Sequence, residues 1–397
     1  MIAGLRRQFN ACFTPGSYAR LLASLDEACG CHIEFRISET PCFFLKALLD
    51  ATARAGSELI SQLLSNPLYM ADSLRAIPEK FNVPDEDSHP LFIAADFGLW
   101  RNPDSSELEP RLVEIQGFPS LYGFQPLLAR HYRQAFGLDA SLGYLLGGLD
   151  EESYRELLGR AILNGRDPET VVLLEIDPEN QKTLPDFKAT RNMLGIPYVS
   201  ITSVRKQGRR LFYKKDGRSI PIERIYNRVI VDELVRKNIK PPFDFRDDLD
   251  VEWAGHPNWF FRLSKFSIPY LSHYSVPESS LLSDVPELPV DLENWVLKPL
   301  FSFAGIGVVI GPSREQVLAV PHKERPEYLL QRRVNFERVI ETPYGATNAE
   351  IRILYIWLEK LIPVATIIRM GRGKMMGVDH NRDMEWVGAS AAFYTAE

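Results

Sequence analysis

The sequence predicts an α/β fold built from several lobes, and three observations carry that reading. The chain has 397 residues, more than one small core organises, so two or three lobes with buried sheets are expected. From residue 170 strand-like and helix-like segments alternate, as in "TVVLLEI", "LPDFKATRNMLG" and "IPYVSI". The C-terminal part returns to strand-like runs: "NWVLKPLF", "GIGVVIG", "EYLLQRRV" and "AEIRILYIWLEKLIPVATIIRM".

In chain order, residues 1–89 read as a helical N-terminal region. "SYARLLASLDEACG" and "FFLKALLDATARAGSELISQLLS" repeat apolar positions at three-four spacing, with prolines between and after them. Over 90–165 two apolar runs, "HPLFIAADFGLW" and "RLVEIQGF", flank the polar loop "RNPDSSELEP" and suggest an antiparallel pair. Helices follow in "QPLLARHYRQAFG" and "DEESYRELLGRAILNG", the second ending on a glycine suited to a C-cap. Residues 166–250 form an α/β unit that includes the Asp-Gly turn of "RRLFYKKDGRSI". Residues 251–397 hold the remaining strands, while 236–293 is rich in Pro, Trp and Phe and has no clear period.

Composition is that of an ordinary globular chain, 45% hydrophobic and 25% charged. The net charge of −6 gives no electrostatic footprint for nucleic acid, so a small molecule or peptide is the expected partner. No apolar stretch approaches the roughly 20 residues that span a bilayer, and the start lacks the apolar core of a signal peptide. No membrane partner and a cytoplasmic location are therefore expected. Cys12, Cys29, Cys31 and Cys42 do not follow the paired spacing of a zinc site and read as reduced thiols.

Several segments carry residues suited to chemistry. In "WVLKPLFSFAGIGVVIG" Lys298 ends a strand-like run before a loop with Gly305 and Gly307; such a loop lets backbone N–H groups reach phosphates, and a plain hairpin fits as well. "EYLLQRRV" runs out into Gln331, Arg332 and Val334, where main chain can line a planar base or simply end a strand. In "NAEIRILYIW" Glu350, Arg352 and Leu354 fall on one face; two charges there can also face solvent. "TIIRMGRGKMMGVDHNRD" gathers Arg369, Arg372, Lys374, His380 and Asn381, as a solvated hairpin tip or an anion-binding edge. Asp96 interrupts an apolar run, and Glu114 and Gln116 share a strand face; together they offer oxygen ligands of the kind Mg²⁺ takes beside nucleotide phosphates, and a half-exposed hairpin fits as well.

Taken together, these segments resemble the ATP-grasp superfamily, and within it the circularly permuted branch that includes glutathionylspermidine synthase-like proteins. The family's lysine strand, Gly-rich loop, hinge strand and "EIRV"-like strand occur in that order as "WVLKPLFSFAGIGVVI", "EYLLQRRV" and "AEIRILYIW". The magnesium strand has no room after them, and "AADFGLWRNPDSSELEPRLVEIQGFPSLYGFQ" is similar to the permuted family's N-terminal metal segment. The resemblance covers roughly residues 90–397. It implies an ATP-grasp fold with circular permutation, preceded by an α/β lobe and the helical N-terminal region.

The resemblance also implies site residues. Asp96, Glu114 and Gln116 match metal ligands, with Gln116 where the family has Asn and Ala94 where it has an arginine. Lys265, in "FRLSKFSIPYL", and Lys298 match nucleotide lysines. Gly305, Gly307, Gln331, Arg332 and Val334 match cofactor-binding positions. Arg352, with Arg369 and Asn381, matches phosphate-holding positions, and "IERIYNRV" brings Arg228 near them. The implied activity is ATP- and Mg²⁺-dependent ligation, in which a substrate carboxylate becomes an acyl phosphate and is taken by an amine or thiol. A phosphotransferase on the same scaffold and a nucleotide-binding protein with impaired catalysis are the alternatives.

Overall fold

The computed structural model describes residues 1–397 apart from 302–305, 374–375, 378–380, 382 and 396–397. The N-terminal periodicity is realised as α1 (Ala3–Cys12), α2 (Pro15–Cys29) and α3 (Lys46–Leu64). Thr14 caps α2 by accepting from the Ser17 N–H, Pro15 opens its first turn, and Gly30 ends it at φ 62°. Past a short helix, Pro67–Ser73, come β1 (Phe92–Arg101), β2 (Leu108–Gln116), α4 (Phe124–Phe136) and α5 (Glu151–Leu163). The C-cap of α5 is Asn164 at φ 49°, one residue before the glycine expected there; asparagine tolerates the left-handed conformation.

The middle of the chain supplies β3 (Val171–Glu175), α6 (Leu184–Leu194), β4 (Tyr198–Ser200), β5 (Arg224–Asn227) and β6 (Glu252–Ala254). A small antiparallel sheet of Arg205–Gln207, Arg210–Lys215 and Arg218–Ile222 turns at Asp216 and Gly217, both at positive φ, as the Asp-Gly pair leads one to expect. The last part holds β7 (Ser279–Leu281), β8 (Trp295–Pro299), β9 (Val309–Ile310), β10 (Tyr328–Arg332) and β11 (Arg338–Ile340). It closes with β12 (Thr347–Trp357), β13 (Leu361–Gly371) and β14 (Gly388–Ser390). The chain thus mixes helix and sheet, as the α/β reading requires.

Three sheets frame the interior. The central antiparallel sheet runs β14-β13-β12-β1-β2, with β11 paired to the start of β12. A smaller antiparallel sheet runs β7-β10-β8-β9, and a parallel sheet runs β6-β5-β3-β4. One face of the central sheet, with Ile93, Ala95, Phe97, Ile351, Ile353 and Tyr355, packs on α3 through Leu49, Leu59, Ile60 and Leu63. Gly56 of α3 permits that approach, because a Cβ there would meet the Tyr355 hydroxyl at 2.0 Å.

The opposite face changes character along its length. Phe92 pairs with Ile356 and Ala94 with Leu354, and these rows lie in the core shared with α2, α4 and α5. The next rows are Asp96 with Arg352 and Gly98 with Glu350, so the face turns from apolar to charged over four residues of strand. Among the described residues no helix is long and apolar enough to cross a membrane. All four cysteines are free.

Candidate active site

The charged end of the central sheet opens onto a cavity of about 660 Å³ that all three sheets reach. Asp96 is 1% exposed, and a carboxylate so buried requires partners. Arg352, directly opposite on β12, donates from Nη2 to Oδ2 at 2.7 Å and from Nε to Oδ1. Arg369 on β13 adds a donor to Oδ2 and also pairs with Glu350, its register partner on β12. Burial works against the charge of Asp96, but Arg352 and then Arg369 outweigh it and hold the carboxyl below its ordinary range. Burial pushes Glu350 up, with Arg369 opposing. Burial likewise works against the charge of Arg369, yet Glu350 and Asp96 together raise its pKa.

Glu114 sits across from Asp96 on β2. Gln116 donates to its Oε1 at 2.6 Å, and Arg352 Nη2 and Lys265 Nζ each lie 3.6 Å from its carboxylate. A bulge explains how this strand serves two masters. Phe97 pairs with Leu112 while Asp96 pairs with Glu114, so Val113 is the extra residue. Leu112 and Ile115, three apart, thereby both reach the apolar core, and Glu114 and Gln116 both line the cavity. The carbonyl of Val113 accepts from Lys298 Nζ at 3.0 Å.

Lys298 projects from β8 of the second sheet and also donates to Gln331 Oε1 on β10 at 2.5 Å. Burial pulls its ammonium down to about 8, with Glu114 opposing. Three carboxylates, Asp96, Glu114 and Glu350, thus meet four cations, Lys265, Lys298, Arg352 and Arg369. The excess of positive charge suits a polyanion such as a phosphate chain.

The parallel sheet contributes its carboxyl end, where ligands gather in such sheets. Glu175 ends β3 and Arg228 follows β5, and both line the same cavity. The Arg228 guanidinium lies 5.0 Å from the Phe118 ring and 5.7 Å from that of Phe187. It is buried, and its Nε and Nη1 have no hydrogen-bond partner among the described residues. Burial pushes Glu175 up to about 8, with Arg228 opposing.

This arrangement of sheets has a counterpart among solved structures. The chain is similar to a glutathione synthetase-like effector. That protein, GSS30 from Globodera pallida in its apo form, aligns over 95% of this chain and 96% of its own, with a TM-score of 0.59 and 9% identity. At that identity the likeness extends to the fold. No protein-family model matches the chain, and no curated protein matches it by sequence.

Of the residues singled out in the sequence, Asp96, Glu114, Gln116, Arg228, Lys265, Lys298, Gln331, Arg332, Val334, Arg352 and Arg369 line this one cavity. Asn381 does not. It lies behind the lining loop, its Oδ1 accepting from the N–H groups of Arg372 and Gly373 at 3.2 Å. Gly307, at φ 74°, packs against Pro299, where a Cβ would approach to 2.8 Å. Gly305, Lys374 and His380 lie outside the described residues. Glu350, with Arg352, is buried, which decides between the solvent-facing and inward readings of their strand. Glu175 was missed; its signal is an acid closing the apolar run "TVVLLE".

Magnesium, expected at Asp96, Glu114 and Gln116, meets an uneven donor set. Glu114 and Gln116 face the cavity and fit a hard cation that completes its shell from phosphate oxygens and water. Asp96 is instead committed to arginine through both oxygens. Among the described residues no group of three or more His, Cys, Asp or Glu is arranged to hold a metal.

Proposed function

We propose that the chain is an ATP-grasp ligase in circularly permuted order, joining a carboxylate-bearing small molecule or peptide to an amine or thiol through an acyl phosphate. The observation that carries this reading is the meeting, in one cavity, of a lysine from one sheet, two arginines from a second and a buried guanidinium at the end of a third. The permuted order accounts for β1 preceding its sheet partner β12 by more than two hundred residues.

In this reading Lys298 and Lys265 hold the nucleotide. Arg352 and Arg369, fixed in place by Asp96 and Glu350, stabilise the charge on the transferring phosphoryl group without having to reorganise. Glu114 and Gln116 would hold Mg²⁺, which would supply charge neutralisation at the phosphate oxygens. Arg228 grips an anionic group of the substrate, since an unmet buried guanidinium favours a ligand that meets it. No protein nucleophile is needed.

Two observations favour a second reading, a nucleotide-binding protein without ligation. Asp96 is fully engaged by arginine, and Gln116 is one methylene longer than the family's Asn, so the metal site is weaker than in an active member. Phosphate release from Mg·ATP, measured over a panel of carboxylates with and without amines, separates these cases. Acid-dependent release with an amide product supports the ligase. Release with a phosphorylated product and no amine dependence identifies a phosphotransferase, and tight ADP binding with no turnover identifies the second reading.

A further inference from the structure

The small antiparallel sheet of Arg205–Gln207, Arg210–Lys215 and Arg218–Ile222 sorts its charges by face. Leu211, Tyr213, Ile220 and Ile222 belong to a buried apolar cluster, and side chains alternate along a strand. Arg210, Phe212 and Lys214 therefore point outward, and register adds Arg205 and Pro221, the partners of Phe212 on the two neighbouring strands.

The sheet's other cations are held by acids. Lys206 pairs with Asp247 at 2.6 Å, Lys215 and Arg218 with Glu169 at 2.8 and 3.3 Å, and Arg209 with Asp250 at 2.9 Å. The outward three differ. Arg205, Arg210 and Lys214 are exposed and make no ion pair among the described residues. The rest of their face is Gln207 and Ser219 beside Phe212 and Pro221, so it holds no carboxylate. On a chain of net charge −6 this is a local reversal of sign, and it favours an anionic partner.

Spacing narrows the partner. Arg210 and Lys214 are four residues apart on one strand, about 14 Å, and an extended peptide repeats with the same rise. Acids at its first and fifth positions meet the two cations while an apolar third residue meets Phe212, whose ring lies 5.3 Å from the Arg210 guanidinium. The patch is also short. Asp216 turns the chain beyond one end of the middle strand, and Asp248 and Asp250 hold Arg209 at the other. A long phosphate backbone would run onto those carboxylates, whereas a five-residue segment stops before them.

We propose that this face docks an extended acidic segment of a partner protein, of the pattern acid-x-apolar-x-acid, with its acids on Arg210 and Lys214 and its apolar residue on Phe212. None of these residues lines the nucleotide cavity, so the inference stands apart from the ligase reading.

The test is fluorescence anisotropy of the full chain with a labelled, end-blocked peptide Glu-Thr-Val-Thr-Glu. Comparison peptides carry lysine for both acids or serine for valine, and a short polyuridylate represents nucleic acid. The expected result is saturable binding of the acidic peptide that weakens as salt rises past roughly 0.15 M, because exposed pairs are screened. In Arg210→Glu/Lys214→Glu, with both changes at exposed positions, binding should fall roughly ten-fold and ADP affinity should stay unaltered. Absence of peptide binding, equal binding by the double variant or equal binding of the lysine peptide overturns the inference. Equal binding of the serine peptide overturns the role of Phe212. Tighter binding of polyuridylate overturns the peptide assignment in favour of a single-stranded nucleic acid. Failure of ADP to bind either protein counts against the nucleotide reading alone.

Discussion

Asp96 and Arg352 face each other across adjacent antiparallel strands and join through two parallel N–H to oxygen contacts, one of them 2.7 Å long. The pair is buried, and Arg369 closes it from the next strand. Such a carboxylate sets the geometry of the arginines that face the cavity.

Asp96→Asn should therefore destabilise the fold by roughly 3 kcal/mol, because the buried Arg352 and the half-buried Arg369 both lose a counter-charge. The native carboxyl titrates below its unfolded value. Its contribution is thus complete above about pH 4 and is lost as pH falls through the native value. Urea unfolding at pH 7 and across the acid range checks both statements; an unchanged midpoint would sink them.

Lys298 gives a prediction at the other end of the scale. With its ammonium pulled down to about 8, nucleotide affinity should be level below that pH and fall above it as the charge is lost. Stability should move the opposite way, rising between about 8 and the unfolded lysine value of about 10.4, where the unfolded chain holds more protons. Titrations from pH 7 to 9.5 read the first effect. A flat profile contradicts it.

Arg228→Met keeps an unbranched stem between Phe118 and Phe187 and removes the guanidinium. KM for the acid substrate should rise roughly 10- to 100-fold, the range of a hydrogen bond to a charged group, with nucleotide affinity unaltered. Equal losses in both would place Arg228 in the nucleotide site or in the fold.

Glu114→Ala should abolish Mg²⁺-dependent turnover with the circular dichroism spectrum unchanged. Retained activity in the folded variant refutes the assignment of Glu114 to the metal.

Much of this was legible in the sequence, for identifiable reasons. Strand alternation put Glu114 with Gln116, and Glu350 with Arg352, on common faces, because period two is a property of the backbone. The bulge at Val113 was not legible: it is defined by register against β1, a relation between strands. Nor was the capture of Asp96 by two arginines some 250 residues away in sequence. The bracing of the lining loop by Asn381 was not legible either, because a polar side chain in a turn-rich segment suits a ligand and a loop brace equally. The stretch 236–293 resisted assignment because it folds into short pieces, such as Trp259–Arg262 and the 3-10 turn Lys265–Tyr270. Distant contacts hold them, Arg262 with Glu86 among them.

The central claim is that the lysine of β8 and the arginine face of the central sheet grasp one nucleotide between them. Calorimetric titration of a purine nucleoside diphosphate with Mg²⁺ into the wild-type chain and into Lys298→Ala tests it most directly. The account predicts a single saturable site in the wild type and at least ten-fold weaker binding in the variant. Absence of binding by the wild type, or equal affinity in the two proteins, would contradict it.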